Sequence, residues 1–136
     1  MVLAMEKSDY LKDQIDQFGK VLASMIEKMI AGKSSESIQI ETIELEKSFA
    51  DLFGIAIRDV DNISKSPTRV PHEILFKLAV FYYQKALNAT IDARSEPLMK
   101  ALKLAETAQS SAPGYSLTYQ EQIANIKVKI SALKNE

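Results

Sequence analysis

Residues that could carry acid–base or metal chemistry are scarce in this sequence. Its 136 residues include a single histidine, His72, and no cysteine. The absence of cysteine excludes disulfides, thiolate zinc sites and cysteine nucleophiles. Glu73 follows His72 directly, but adjacent positions on a helix point in different directions. We therefore predict no catalytic role for His72, no metal site and no cofactor.

Carboxylates are concentrated between positions 36 and 51. Bundles that bind two metal ions through carboxylates need Glu-x-x-His motifs from two helices, and one histidine cannot supply them. The carboxylates therefore indicate a solvated acidic helix face. The four glycines form no phosphate-binding loop or nucleophile elbow. These exclusions predict a protein that is not an enzyme.

The composition is that of one soluble domain. Hydrophobic residues make up 46% of the chain and charged residues 26%, with a net charge of -1. This near-neutral charge disfavours a nucleic-acid partner. The longest apolar run, 74–83, is shorter than the roughly 20 residues of a membrane-spanning helix, and the first residues lack the apolar run of a signal peptide. We expect one cytoplasmic domain, 1–136, that binds neither nucleic acid nor membranes.

The first predicted helix, 9–31, carries an apolar stripe with alternating steps of four and three residues. The stripe consists of Leu11, Ile15, Phe18, Leu22, Met25 and Met29. Val21, Ile26 and Ile30 widen it, which favours packing inside the chain against more than one neighbour. The same spacing suits a coiled-coil dimer. Self-association through the stripe, giving a homodimer, is therefore the alternative.

The second predicted helix follows Ser35 and ends near Gly54. Its opening residues, 37–41, alternate between polar and apolar as a short strand would, but no second segment could pair with them, so helix is preferred. Further helical turns are expected up to residue 63. The segment 64–71 has the composition of a linker. We expect it to separate an N-terminal hairpin, 8–64, from a C-terminal unit, 71–134.

The C-terminal unit contains three further predicted helices. The first of them, 71–90, is apolar on nearly every face, which is typical of a helix at the centre of a domain. Its predicted core residues are Phe76, Leu78, Ala79 and Tyr82. The next helix begins at Ser95. The last follows Pro113 and Gly114, where Thr118 and Glu121 have the spacing of a capping box.

Small and aromatic residues recur in this unit at the spacing of a known repeat. They are Leu78, Ala79, Tyr82 and Tyr83 in the third helix, Ala101 and Ala108 in the fourth, and Pro113 in the turn that follows. Over residues 73–115 the pattern resembles a tetratricopeptide repeat, in which small residues let paired helices approach closely. Ala105 stands where the family usually has an aromatic, and the inter-helix segment is longer than in the family.

The resemblance implies an all-α fold of about five helices. An N-terminal helical hairpin would pack on a tetratricopeptide-like hairpin, and 118–133 would close the structure. The family binds peptides through first-helix positions that correspond here to Glu73, Phe76, Val80, Tyr83 and Gln84. These positions lack the Lys and Asn that clamp a peptide carboxylate, so a C-terminal peptide end is not the expected ligand. Whether the groove is open or filled by the N-terminal hairpin stays undecided at this point.

Two functions follow from this pattern. The preferred one is a non-catalytic interaction or scaffold module that binds a protein or peptide through Phe76, Val80, Tyr83 and Gln84. The alternative is a small-molecule-binding or enzymatic helical domain that uses an interhelical pocket near Tyr82, Tyr83 and Tyr119.

Overall fold

The fold is helical throughout the parts of the chain that the computed structural model describes, which are residues 2–32, 35–57, 59 and 70–134. The α-helices are α1 (Val2–Ile30), α2 (Ser35–Phe53), α3 (His72–Asn88), α4 (Ser95–Ser111) and α5 (Leu117–Lys134). A short 3₁₀ helix, Ile91–Ala93, precedes α4. The prediction of an all-α fold with about five helices is confirmed.

The glycines mark helix ends as expected. Gly32 follows α1 with φ 75° and Gly54 follows α2 with φ 72°, the left-handed conformation that glycine adopts without steric cost. The start of α1 differs from the prediction, because the helix begins at Val2 rather than at residue 9. The earlier residues include neither glycine nor proline, so nothing in them interrupts the helix. Further helical turns were expected up to residue 63, but residues 55–57 and 59 belong to no helix. The other residues of this segment and most of the linker lie outside the described residues.

The start of α5 is capped by a different residue from the one predicted. Ser116 Oγ accepts a hydrogen bond of 3.3 Å from the backbone N–H of Tyr119, three residues later. This is the bond that an N-cap serine makes to the first turn of a helix. Thr118, the predicted cap, lies inside the helix. The capping-box prediction is therefore wrong by two residues.

Helix α3 occupies the centre of the fold. It packs most extensively against α4 and also contacts α1 and α5. Leu78, Ala79 and Tyr82 are buried as predicted. Phe76 is only half-buried, because its ring lies at the edge of the core beneath Tyr119 of α5 rather than inside it.

Small side chains line the contact between α3 and α4. Ala79 and Ala86 of α3, together with Ala101, Ala105 and Ala108 of α4, have no solvent-exposed surface. Alanines at such positions let two helix backbones approach closely. Ala79, Ala101 and Ala108, which belong to the pattern seen in the sequence, are thus all buried.

Helices α1 and α3 run in the same direction. Gly19 faces the start of α3, where an added Cβ would lie 3.5 Å from Ile74 Cδ1 and 3.3 Å from Lys77 Nζ. At the other end, the Asn88 side chain donates a hydrogen bond of 3.1 Å to the backbone oxygen of Met29. The contacts thus advance together along both helices, and α1 lies against one flank of α3.

Helices α1 and α2 form an antiparallel hairpin. Phe18 packs against Phe49 and Phe53, with ring centroids 5.9 and 6.2 Å away. At the other end of the hairpin Lys28 Nζ lies 3.0 Å from Glu41 Oε1. Because α2 ends opposite Phe18, the first half of α1 extends beyond α2.

Candidate functional site

One face of α3 is not covered by any helix within the described residues. Contacts with α4 and α1 take up two sides of α3, and α5 lies against Phe76. The α3 residues that lie between its contact with α1 and its contact with α5 are three, four or seven positions apart, so they share one helix face. We call this surface, formed by Glu73, Val80, Gln84 and Leu87 and bordered by Phe76 and Tyr83, the open face of α3.

The residues predicted to bind a partner therefore lie together. Val80, Tyr83 and Gln84 are half-buried. Their side chains make no hydrogen bond, ion pair or ring contact within the described part of the chain. The N-terminal hairpin contacts the neighbouring flank of α3, at Ile74 and Lys77. The open face is thus bordered by α1.

An aromatic pair borders the open face on the other side. The rings of Phe76 and Tyr119 stack at an interplanar angle of 19°, with 4.3 Å between centroids. Tyr119 Oη lies 2.8 Å from His72 Nδ1. These two contacts hold α5 beside the first two turns of α3.

His72 and Glu73 lie closer together than the sequence predicted. His72 Nε2 is 3.4 Å from Glu73 Oε1, so the expectation that these adjacent side chains point apart is wrong. The exposed Glu73 side chain is long enough to bend back toward the imidazole at the start of the helix. In the tautomer with a proton on Nε2, that proton faces the carboxylate and Nδ1 accepts a hydrogen bond from the Tyr119 hydroxyl.

Electrostatics keep this hydroxyl in its neutral form. Burial raises the pKa of Tyr119, and the negative charge of Glu73 raises it further. The phenol therefore keeps its proton at neutral pH and can donate it to His72 Nδ1. The chain of carboxylate, imidazole and phenol connects α3 to α5 and positions the border of the open face.

The tyrosines predicted to share one pocket face different neighbours. Tyr82 lies in the core beside α4, with Lys100 Nζ 4.9 Å from its ring centroid. Tyr119 instead contacts His72 and Phe76 at the start of α3. The structure therefore does not bring Tyr82 and Tyr119 together.

Sequence reasoning missed a group of charged residues around Tyr82. Lys85 Nζ lies 5.8 Å from the centroid of its ring, on the same helix as Tyr82. Glu46 of α2 lies near enough to influence the pKa values of both Tyr82 and Lys85. The spacing of three residues between Tyr82 and Lys85 was the only signal in the sequence, since Glu46 and Lys100 come from other helices.

The stripe of α1 is mostly internal. The exposed fractions are 6% for Phe18, 0% for Leu22, 3% for Met25, 2% for Met29 and 47% for Leu11, and Ile15 is half-buried. Val21 and Ile30 are exposed, so the stripe is narrower than predicted. Self-association stays a prediction, and the exposed part of the stripe that could support it is Leu11 with the edge of Ile15.

Two grooves that are lined by described residues border α1. One, of about 810 Å³, lies between α1 and α2 above Phe18, Met25 and Leu45. The other, of about 450 Å³, lies between the first half of α1 and the start of α3, next to Leu11 and Ile74. Neither groove is lined by Val80, Tyr83 or Gln84, so both are separate from the predicted partner-binding residues.

Within residues 2–32, 35–57, 59 and 70–134, no three or more His, Asp or Glu side chains are grouped so that they could hold a metal ion. Among the described helices, none combines the length and the apolar character that a membrane span requires.

Comparison of the chain with protein-family models, with curated proteins and with solved structures finds no match.

Proposed function

We propose that this protein is a non-catalytic interaction or scaffold module and that the open face of α3 binds a segment of a partner protein. The observation that supports this proposal best concerns the burial and the side-chain contacts of Val80, Tyr83 and Gln84. All three are half-buried and lie side by side, yet their side chains make no polar or ring contact with the described residues. A partner segment would supply the missing contacts.

The residue types indicate the chemistry of the partner segment. Val80 and the ring of Tyr83 offer apolar contact, while the Gln84 amide and the Tyr83 hydroxyl both donate and accept hydrogen bonds. Such a surface suits an extended peptide with an apolar side chain over Val80 and backbone groups bonded to Gln84. Glu73 at one end of the face favours a basic residue at that end of the peptide.

In this proposal α3 and α4 act as a single tetratricopeptide-like hairpin. The alanine-lined contact between the two helices and the position of the half-buried residues on the first of them support this assignment. We place the module in the cytoplasm, because a chain without cysteine suits a reducing compartment.

Selection from a displayed library of random peptides, followed by calorimetric titration of the enriched peptides, tests the proposal. We expect Val80→Glu to weaken binding at least about tenfold, because a carboxylate would replace the apolar contact. Val128→Glu is the matched control, since Val128 is 65% exposed on α5, away from the open face.

Circular dichroism establishes that both variants are folded. Peptides that bind Val80→Glu as tightly as the unmodified protein would contradict the proposal, as would a selection that enriches no peptide.

A further inference from the structure

The groove between α1 and α2 exposes apolar surface. Its floor is formed by Phe18, Met25 and Leu45. Val21, which is 46% exposed, and the half-buried Leu52 extend this apolar surface toward the solvent. The groove is lined by α1 and α2 alone among the described helices. Within the described residues it therefore has room for an apolar helix face from outside the fold.

The α2 side of this groove is acidic. Glu44 and Asp51 both line it, and both are exposed. They are seven residues apart, so they lie on the same side of α2, about 10 Å from each other along the helix. Within the described residues neither carboxylate forms an ion pair at 4.0 Å or less, whereas Glu41 is paired with Lys28. The groove thus offers two carboxylates to a cationic partner.

Helix α5 is apolar on two opposite sides. Ile123 and Ile126 face the core and are buried. On the other side Leu117 and Val128 are 63% and 65% exposed, and Ala124 between them is also exposed. Their spacing of seven and four residues aligns them along the helix. We call this stripe the outer face of α5, and within the described residues no helix covers it.

Two lysines border the outer face of α5 along one side. Lys127 and Lys134 are exposed, and neither forms an ion pair at 4.0 Å or less within the described part of the chain. They are seven residues apart, which is also the spacing of the two groove carboxylates. Glu121 lies near the start of the helix, so the positive charge is concentrated in the second half of α5. The outer face of α5 therefore complements the groove in both polarity and charge.

We propose that the outer face of α5 of one copy of this chain binds in the groove between α1 and α2 of a second copy. The apolar stripe then covers Val21, and the two lysines of α5 face Glu44 and Asp51. The occupant comes from another copy, because α5 packs on α4 and α3 of its own chain and lines no part of its own groove. Exposed ion pairs add little affinity, so apolar burial holds the copies together and the charges fix the direction of α5 in the groove.

The two surfaces in this contact are different. Each copy offers one groove and one outer face of α5, so copies join head to tail unless the series closes into a ring. One helix face in one groove is a small interface compared with the roughly 1,200–2,000 Å² of stable complexes, and we expect a dissociation constant in the micromolar range. The contact is separate from the open face of α3 and does not depend on the function proposed there.

Sedimentation velocity of the full chain at increasing concentration, up to about 500 µM, tests the contact. We expect the average mass to rise above that of the monomer. Val21→Glu places a carboxylate in the groove, and Ala124→Glu places one on the outer face of α5. Both positions are exposed, so circular dichroism should show folded variants. Each variant alone should stay monomeric, because a charge would be buried against apolar surface.

An equimolar mixture of the two variants tests whether the contact joins different surfaces. Val21→Glu keeps an intact outer face of α5, and Ala124→Glu keeps an intact groove. The mixture should therefore form dimers and nothing larger. The proposal would be overturned by an unmodified protein that is monomeric at every concentration, by a variant that assembles as the unmodified protein does, or by a mixture that stays monomeric. Assembly that Leu11→Asp abolishes would also overturn it, because Leu11 lines neither surface.

A pair of charge reversals tests the direction of α5 in the groove. Lys127→Glu should weaken assembly at least about fivefold, because like charges would then face each other. Lys129→Glu, the matched control, makes the same change on the other side of α5 and should alter assembly by less than about twofold. Val128→Glu, which leaves the open face of α3 unchanged, should also prevent assembly. Equal effects of Lys127→Glu and Lys129→Glu would contradict the proposed contact.

Discussion

Phe76 of α3 and Tyr119 of α5 are stacked nearly parallel with 4.3 Å between their ring centroids. The hydroxyl of the same tyrosine lies 2.8 Å from His72 Nδ1, one turn before Phe76. An apolar contact and a hydrogen bond thus act on a single side chain of α5. These contacts add to the packing of α5 against α4, which is its main contact within the described fold.

Removing the stacked ring should loosen the closing helix. We expect Phe76→Ala to lower the free energy of unfolding by about 2–3 kcal/mol, less than for a fully buried phenylalanine, because Phe76 is only half-buried. Urea unfolding followed by circular dichroism measures this. Tyr115→Ala is the control at a 75% exposed aromatic and should change stability by less than about 0.5 kcal/mol. Equal effects of the two substitutions would contradict a structural role for the stack.

Two glycines should respond in opposite directions to substitution by alanine. Gly19→Ala should stabilise the protein by about 0.5–1 kcal/mol, because alanine favours helix and the nearest atom to the new Cβ is the mobile end of Lys77. Gly32→Ala should destabilise it by about 1 kcal/mol, because φ is +75° there. Thermal unfolding measures the change in stability of both variants. A loss of stability in Gly19→Ala would contradict the first expectation and show that α1 and α3 cannot move apart enough to accept the new Cβ.

Tyr82→Phe should alter the response of the protein to alkaline pH. The pKa of Tyr82 is higher in the folded than in the unfolded state, so only the unfolded state releases the phenolic proton above about pH 10. Stability should fall there as pH rises, by up to about 1.4 kcal/mol per pH unit from this group. The variant should lack this contribution.

At neutral pH, Tyr82→Phe should cost less than about 0.5 kcal/mol or be stabilising, because it removes a buried hydroxyl without a partner. Urea unfolding across the pH range gives both results. Tyr83→Phe serves as the control and should keep the alkaline loss. The prediction would be contradicted if the free energy of unfolding fell with pH at the same slope above about pH 10 in the unmodified protein and in Tyr82→Phe.

Aspartate at two stripe positions distinguishes core packing from self-association. Leu22 is fully buried, so Leu22→Asp should cost more than about 4 kcal/mol and unfold the chain. Leu11 is 47% exposed, so Leu11→Asp should leave the monomer folded within about 0.5 kcal/mol. Light scattering then reports the oligomeric state. A dimer that Leu11→Asp converts to monomers supports the self-association hypothesis, and an unmodified protein that is already monomeric contradicts it.

Helices could be predicted from the sequence because their signals are local. The steps of three and four residues in α1 and the glycines at positions 32 and 54 are each contained within one segment, and the structure confirms them. The capping serine of α5 was missed because Thr118 offered an equally good local pattern. Local spacing could not distinguish the two hydroxyl residues.

The Tyr82 group was not predictable for a different reason. Glu46, Tyr82 and Lys100 lie on three helices and are far apart in the sequence, so only the packing of α2, α3 and α4 brings them together. The contact of His72 with Glu73 was missed because side-chain bending at a helix start does not follow the rule for helix interiors. The proximity of Val80, Tyr83 and Gln84 could be predicted because they share one helix, whereas their binding of a partner stays a prediction.

The hydrogen bond from Asn88 to the backbone oxygen of Met29 links residues that are 59 positions apart in the chain. The same oxygen accepts a hydrogen bond of 3.1 Å from the backbone N–H of Gly32, so Asn88 adds a second donor at the end of α1 from outside that helix. The end of the first helix is therefore completed by the last residue of the third. Folding of the N-terminal hairpin is thereby coupled to docking of α3, and we expect the chain to unfold in one cooperative transition rather than hairpin by hairpin.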